Sequence, residues 1–236
     1  MENSNRKDAI VAGVSLIIMA LAAGYAYGYV QSSLVVVGNP AATLTNLNNA
    51  TGLFGSGVIG WGIILITDLL VAWSLYRFFA HVDAKISFAT GLVRAVYSVI
   101  LAFAIFHLGG VWQMLFSANQ DAVALMNLVA GFEKYWSLGL ILFGVHLLGL
   151  GYLSLKSNTV PKWMGWSLYV AGLSYMAIHA AKAMAPQAAD AVSMAEMILG
   201  APMAIAELAL AVWLVWKGGK SKRQLPGQGH PMQFAS

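Results

Sequence analysis

The sequence predicts an all-α fold, an integral membrane bundle of six transmembrane helices whose N and C termini lie in the cytoplasm. Composition is the first reason, because soluble domains are about 25% charged and about 45 to 50% apolar, whereas this 236-residue chain is 9% charged and 59% hydrophobic. The second reason is that apolar residues occur in runs of about twenty or more, enough for a helix to cross about 30 Å of hydrocarbon. The third is that no segment alternates polar and apolar residues as the strands of a membrane β-barrel do.

Six apolar segments are expected to span the membrane within a single domain, residues 1–217. They cover residues 9–30, 53–80, 88–116, 136–155, 163–184 and 194–216. The first could instead be a signal peptide, but its 22 residues exceed the roughly 7 to 15 of a cleavable apolar core, so we expect it to remain. Residues 218–236 are rich in Gly, Pro, Gln and basic residues, and are therefore predicted to be a disordered tail near anionic lipid headgroups.

The basic residues gather at one end of the predicted bundle, whereas the opposite loops carry only Lys134 and Lys182. Those at the basic end are Arg6, Lys7, Arg77, Lys85, Lys156, Lys162, Lys217, Lys220, Lys222 and Arg223. Because Lys and Arg are enriched in cytoplasmic loops, this end is predicted to face the cytoplasm. The formal net charge of +4 is explained by that orientation, so membrane lipids are the expected partners and nucleic acid is not.

Several kinds of site have no support in the sequence. The chain has no cysteine, which excludes disulfides, thiolate metal ligands and thiol nucleophiles. It contains no G-x-S-x-G, no phosphate-binding loop and no H-E-x-x-H, so hydrolase, nucleotidase and zinc protease interpretations lack a motif. Tryptophans near the ends of spans are expected to anchor at the membrane interface; these are Trp61, Trp112, Trp136, Trp163 and Trp166.

Four ionisable residues are predicted to lie together near the middle of the bilayer. Asp68, in the apolar run GIILITDLLVAW, precedes a cytoplasmic base by nine residues, and His146 and Glu207 each do so by ten. Ten residues of helix rise about 15 Å, and Arg94 is expected at a similar height on the neighbouring helix. An ionised side chain costs at least about 2.5 to 3.5 kcal/mol there. We therefore predict that all four line one interior space, the midplane site.

Within the midplane site, Asp68 is predicted to neutralise Arg94 and to join the second and third spans. The reason is that an arginine cannot lose its proton at any relevant pH, so it requires an anion inside hydrocarbon. Glu207 is the alternative partner for Arg94. A site of this kind is suited to binding or transporting a small polar or amphipathic ligand, or to relaying protons.

A second group of polar residues is predicted near the end of the bundle opposite the basic end. This outer cluster comprises His107, Glu133, His179, Lys182 and Glu196. Two imidazoles and a carboxylate, from His107, His179 and Glu196, could ligate a divalent metal, and the two histidines could hold a noncovalent haem. No local ligand spacing supports either group, so no cofactor is predicted.

Several segments, in order, resemble the bacterial six-pass membrane family known as domain of unknown function 4386. They are TDLLVAWSLYRFF, GLVRAVYSVILA, and the stretch from FEKYWSLGLILFG through VHLLGLGYLSLK to SNTVPKWMGWSLYVAGLSY. The resemblance covers nearly the whole chain and implies a multi-pass protein of the bacterial inner membrane. It implies no catalytic or binding residues, because no activity accompanies the family description.

Three function classes stay open on the sequence, and whether the protein is an enzyme is left undecided. The first, which we favour, is ligand binding, transport or proton relay at the midplane site. The second is a membrane enzyme acting on a lipid or isoprenoid, with Asp68 or Glu207 as general acid and His146 as base. The third is a structural or sensory bundle in which the same residues only join helices. The sequence does not indicate an oligomeric state.

Overall fold

The computed structural model describes residues 2–220, and over that range every regular element is helical. A π-helical segment, Gly24–Gln31, follows α1, and a short 3-10 turn, Pro186–Ala188, precedes α8. The α-helices are α1 Glu2–Ala23, α2 Ser32–Leu34, α3 Pro40–Asn49, α4 Thr51–Phe79, α5 Ala84–Leu115, α6 Ala122–Lys156, α7 Lys162–Met184 and α8 Ala189–Trp216. The expected all-α membrane bundle is confirmed, and the predicted tail from residue 221 onward lies outside the described residues.

Six long helices form a closed ring in chain order. Each of α4, α5, α6, α7 and α8 packs against the helix before it in the ring, and α8 returns to α1. Connections of a few residues join most of these helices, which makes neighbours antiparallel. The ring places residues from distant parts of the sequence around one interior space, because every long helix has one face toward it.

Five of these helices, rather than the predicted six, are long and apolar enough to cross a membrane by length and composition. They are Asn5–Leu34, which includes the π-helical segment, Thr51–Phe79, Ala84–Leu115, Ala122–Lys156 and Ala189–Trp216. The expected span 163–184 falls in α7, which is 23 residues long but too polar to be counted with them. Its sequence includes two lysines, a histidine and two serines, and these lower its hydropathy.

Helix α7 nevertheless packs along α6 as closely as two backbones can. A Cβ added at Gly144 would lie 2.6 Å from the carbonyl oxygen of Gly172, and one at Gly165 would lie 3.1 Å from that of Gly151. The glycines are seven residues apart on both helices, which is about two helical turns. Small residues at this spacing let antiparallel helices approach closely, so the backbones of α6 and α7 come together at these glycines.

Two features differ from the sequence-based boundaries. Helix α6 begins fourteen residues before the predicted span, because Asp121 caps its N-terminus by accepting hydrogen bonds from the backbone N–H groups of Val123 and Ala124. The 35 residues of α6 rise about 52 Å, so this helix extends beyond the hydrocarbon. The loop expected at residues 31–52 contains α3, whose N-terminus is capped by Asn39 with Pro40 in the first turn.

Polar contacts join the helices at the basic end. Arg6 donates through Nη1 to the carbonyl oxygens of Leu214 and Gly218, which closes the C-terminus of α8 against α1. An ion pair of 3.1 Å joins Arg77 to Asp8 on α1. A second, of 2.8 Å, joins Lys156 at the end of α6 to Asp83 before α5 (both distances nitrogen to oxygen).

Candidate functional site

An ion pair lies at the centre of the bundle, between α4 and α5. Nη2 of Arg94 donates to Oδ1 of Asp68 over 2.5 Å, and both side chains are fully buried. The same nitrogen lies 3.4 Å from the sulfur of Met19 on α1, and the guanidinium carbon lies 5.1 Å from the ring centroid of Phe143 on α6. The guanidinium of Arg94 on α5 therefore contacts three other helices, and its ion-pair partner is the predicted one, Asp68, rather than Glu207.

His146 completes this buried cluster and is held in one tautomer by its two neighbours. Its Nδ1 lies 2.9 Å from the backbone carbonyl oxygen of Thr90, and its Nε2 lies 3.1 Å from Nη1 of Arg94. A carbonyl only accepts and a guanidinium only donates. Nδ1 therefore carries the proton and Nε2 is the acceptor, which makes the imidazole neutral and leaves it no lone pair for a substrate.

A central cavity of about 420 Å³ lies inside the ring. Each of the six long helices contributes to its wall, and one residue from each is Met19, Asp68, Tyr97, Phe143, Tyr175 and Glu207. Oδ2 of Asp68 is buried and has no hydrogen-bond partner among the described residues. Asp68, a residue of the cavity wall, thus has a carboxylate oxygen that accepts no hydrogen bond from the described residues.

The prediction that all four midplane residues line one space is wrong for Arg94 and His146. Only Asp68 and Glu207 are part of the cavity wall. Arg94 and His146 lie behind that wall because Asp68 and Phe143, which contact the guanidinium, stand in front of it. Arg94 pairs with Asp68, and His146 contacts Arg94 rather than Asp68.

Glu207 faces the central cavity with a single weak contact. The hydroxyl of Tyr175 lies 3.5 Å from its Oε1, the long limit of a hydrogen bond. Among residues 2–220 no basic side chain forms an ion pair with it, since the ion pairs there are Arg77 with Asp8, Arg94 with Asp68, Lys156 with Asp83 and Lys182 with Glu196. Glu207 therefore has no counter-ion among the described residues, whereas Asp68 is paired with Arg94 through one of its two oxygens.

Aromatic rings, which sequence reasoning did not place in the site, form much of the cavity wall. One group contains Tyr27, Trp61 and Trp136, with centroids 4.7 Å apart for Tyr27 and Trp136 and 5.0 Å apart for the two tryptophans. In the other, Phe143 lies 5.2 Å from Tyr97 and 5.3 Å from Tyr175.

Two of the five tryptophans expected at the membrane interface point inward instead. Trp61, which is 2% exposed, and Trp136 line the central cavity. Trp112, Trp163 and Trp166 are exposed on the outside of the bundle, as anticipated. A tryptophan near the end of a span can face either the membrane interface or the interior of the bundle. Position along the sequence alone therefore did not distinguish the two groups of tryptophans.

The π-helical segment also forms part of the site and has no signal in the sequence. Gly24, Tyr27 and Gly28 lie within it and line the central cavity. A Cβ added at Gly24 or Gly28 would meet no atom within 4 Å. Segments of π-helix are frequent at functional sites, and here the segment leaves the cavity wall open where side chains would otherwise fill it.

Four of the five outer-cluster residues line a second cavity of about 490 Å³. They are Glu133, His179, Lys182 and Glu196. Nζ of Lys182 pairs with Glu196 over 2.6 Å, and Nδ1 of His179 lies 2.8 Å from Oγ of Ser137. The outer and central cavities share Tyr27 and Trp136 as wall residues, so two rings in edge contact separate them.

His107 does not join this cluster, which corrects its expected position. It packs against Gly131 and Tyr135, and its Nδ1 lies 3.0 Å from the backbone carbonyl oxygen of Phe103. Within the described part of the chain, no three His, Asp or Glu side chains are grouped closely enough to hold a metal ion. The metal interpretation required His107, His179 and Glu196 as one group, and no such group occurs among the described residues.

A groove between α7 and α8 adjoins the central cavity from the lipid side. It is lined by apolar and aromatic residues, including Trp163, Trp213 and Trp216, and by Lys217 at the basic end. Leu208 belongs to the walls of both the groove and the central cavity. The groove and the central cavity therefore adjoin at Leu208.

Comparisons with known proteins give a family but no activity. The family described as domain of unknown function (DUF4386) matches residues 11–218. An uncharacterised protein of Archaeoglobus fulgidus is 29% identical over 163 residues, which are 69% of this chain and 84% of that protein. No solved structure gives a significant match.

Proposed function

The chain belongs to the DUF4386 family, and because that description carries no activity we propose, from the residues of this chain, that it binds a small amphipathic ligand in the central cavity. We further propose that it resides in a bacterial plasma membrane with the basic end in the cytoplasm, since Lys and Arg concentrate at that end. The single observation that carries the proposal is that Asp68, a residue of the cavity wall, has a buried oxygen, Oδ2, with no hydrogen-bond partner among the described residues.

The character of the cavity supports an amphipathic ligand. Small-molecule sites are concave and mostly apolar, with a few polar groups that fix the ligand's orientation, and have volumes of roughly 300 to 1,000 Å³. The central cavity, at about 420 Å³, falls in that range. Its aromatic walls suit an apolar body, and Asp68 and Glu207 suit a hydrogen-bond donor or positive charge.

The other function classes fit this geometry less well. An enzyme with His146 as base would need the Nε2 lone pair, which already accepts from Arg94. A bundle with no chemistry would not need a cavity of this size beside a carboxylate oxygen that has no partner among the described residues, because buried polar groups are normally hydrogen-bonded.

A proton relay is a second candidate, favoured by a run of three titratable residues between the two cavities. Tyr175 contacts Glu207 in the central cavity, and its ring stacks on that of His179, which lines the outer cavity, with the ring centroids 6.1 Å apart.

The proton relay is tested in vesicles that contain the protein and a pH-sensitive dye. Under a potassium diffusion potential, the protein should pass protons across the vesicle membrane. Tyr175→Phe and His179→Gln should each slow that flux, and unchanged flux in both would eliminate this candidate.

The ligand proposal is tested by filling the cavity. Gly24→Leu and Gly28→Leu should each extend a side chain into open space and displace the ligand without disturbing packing, because no atom lies within 4 Å of either added Cβ. Gly109→Leu is the matched control, since it also meets no atom within 4 Å and is outside the cavity wall. Native mass spectrometry after gentle purification should show a bound small molecule in the wild type and the control. Its retention in both filled variants would contradict the proposal.

A further inference from the structure

We infer that the ligand of the central cavity is a lipophilic organic cation, such as a protonated amine or a quaternary onium ion with apolar substituents. This inference rests on the proposed ligand-binding function and adds the chemical class. It depends on the charge of the cavity wall, on the chemistry of its rings and on the position of Glu207.

With Glu207 ionised, the charges around the cavity sum to one negative charge. Asp68 and Arg94 cancel, since they form a fully buried ion pair. His146 is neutral, because it donates to the carbonyl of Thr90 and accepts from Arg94. Glu207 remains, and its one hydrogen-bond contact within residues 2–220 is the Tyr175 hydroxyl. An ionised Glu207 in the apolar interior therefore lacks a counter-ion from the described chain, and a bound cation would supply it.

The aromatic rings favour the same charge. The face of an aromatic ring is negative, so it attracts a cation within about 6 Å of its centroid, most strongly when water is excluded. Rings of both aromatic groups belong to the wall of the central cavity together with Glu207. An anionic ligand would meet a net negative wall, and any ring face that it contacted would repel it.

The surroundings of Arg94 strengthen this conclusion, because the guanidinium is withdrawn from the cavity. It contacts Asp68, His146, Met19 and the face of Phe143, and it is not part of the cavity wall. A site for an anion would present this arginine to the ligand. Here the carboxylates face the space and the arginine stands behind them.

The groove between α7 and α8 offers such a cation a path from the lipid. Its three tryptophans and apolar side chains would accept the apolar part of the ligand, and Leu208 alone is shared with the central cavity. A cation that partitions into the bilayer would therefore reach Glu207 without crossing the polar outer cavity.

The test uses two probe ions of the same shape and opposite charge, tetraphenylphosphonium and tetraphenylborate. The purified full-length protein in a nonionic detergent is titrated with each, and quenching of tryptophan fluorescence reports occupancy near Trp61 and Trp136. Tetraphenylphosphonium should bind saturably, and at least ten times more tightly than tetraphenylborate. Glu207→Gln should weaken phosphonium binding at least tenfold, whereas Glu196→Gln, which removes a carboxylate of the outer cavity, should change it less than twofold.

Equal or tighter binding of tetraphenylborate, or unchanged phosphonium binding in Glu207→Gln, would overturn the inference. Gly24→Leu distinguishes this failure from failure of the proposed function. If borate binds to the wild type and Gly24→Leu abolishes that binding, a ligand site exists and its charge preference is opposite to the one inferred. If Gly24→Leu leaves the binding of both ions unchanged, the central cavity is not a ligand site. Should Glu207→Gln fail to fold, as judged by circular dichroism, Glu207→Asp at pH 7 should retain the preference for the cation.

Discussion

Arg94 donates to Asp68 over 2.5 Å, and both side chains are fully buried. Asp68 on the neighbouring helix therefore neutralises Arg94, the one arginine inside the described part of the bundle. The contact joins α4 to α5, and through Met19 and His146 the same guanidinium reaches α1 and α6. Removing one partner of such a pair leaves an uncompensated buried charge, which is worse than removing both.

The stability of this cluster gives the first prediction. Asp68→Asn should lower the free energy of unfolding by about 3 to 5 kcal/mol, because it strands the guanidinium. The double variant Asp68→Asn with Arg94→Gln should recover much of that loss, with a coupling energy above about 1 kcal/mol. Thermal melts of the four proteins in detergent measure the cycle. The exposed pair of Asp8 and Arg77 is the control, and breaking it should lower the free energy of unfolding by less than about 1 kcal/mol. Strictly additive losses for Asp68→Asn and Arg94→Gln would contradict the predicted coupling.

The glycine contacts between α6 and α7 give the second prediction. Gly144→Ala should destabilise the bundle by about 1 to 3 kcal/mol, because its new Cβ would lie 2.6 Å from the carbonyl oxygen of Gly172, which belongs to a packed backbone. Gly62→Ala is the matched control, since nothing lies within 4 Å of a Cβ there and alanine favours the helix by up to about 1 kcal/mol. Melting temperatures should fall for the first variant and hold or rise for the second. Equal stability would mean that α6 and α7 are not in backbone contact.

The pair of Asp68 and Arg94 could be predicted from the sequence because helix rise is constant and an arginine in hydrocarbon requires an anion. Counting residues from the basic ends placed both at similar height. The same counting could not show that Glu207 would stay apart, because height does not specify the direction in which a side chain points. It also placed His146 correctly in depth but not behind the wall of the cavity.

Other parts of the site left weaker signals. The spans are apolar on nearly all sides, so no polar face marks the interior, and Trp61 and Trp136 were assigned to the interface. The π-helical segment Gly24–Gln31 has no known sequence pattern that would separate it from α1. The helix α3 did leave a signal, because Asn39 followed by Pro40 is typical of a helix N-terminus. The charged residues Glu133 and Lys134 concealed the start of α6, because the predicted apolar span begins only after them.

The ion pair of Asp83 and Lys156 gives a prediction about pH. The salt bridge with Lys156, together with the backbone N–H of Ile86, lowers the pKa of the Asp83 carboxyl below its ordinary value. A depressed pKa means that the unfolded state binds more protons, so the stabilisation is present above the ordinary pKa of about 3.9 and is lost as the pH falls through the folded value.

Asp83→Asn isolates that charge, because asparagine retains the oxygen that caps α5. At pH 7 the variant should melt below the wild type, and the two melting temperatures should converge as the pH is lowered below about 4. Lys156→Gln should show the same convergence. A difference between Asp83→Asn and the wild type that is constant from pH 7 to pH 3 would show that the ion pair does not contribute.

The last prediction concerns whether α7 crosses the membrane. Its 23 residues rise about 34 Å, which exceeds the roughly 30 Å of the hydrocarbon core. Its polar groups are satisfied within the protein, because Ser174 donates to the carbonyl of Val170 and His179 bonds to Ser137. We therefore expect α7 to cross the membrane antiparallel to α6 despite its lower hydropathy. With α7 included, the chain would cross the membrane six times and both termini would lie on one side.

Single cysteines test this directly, since the chain has none of its own. Cysteines at Asn158, before α7, and at Gln187, after it, should react with an impermeant maleimide from opposite sides of the membrane in oriented vesicles. Thr45→Cys, between α1 and α4, should label from the same side as Gln187→Cys, because α4 to α7 make four crossings between these positions. Labelling of Asn158→Cys and Gln187→Cys from one side would mean that α7 does not cross. In that case the N-terminus and Lys220 would lie on opposite sides, and the concentration of basic residues would not describe a single cytoplasmic face.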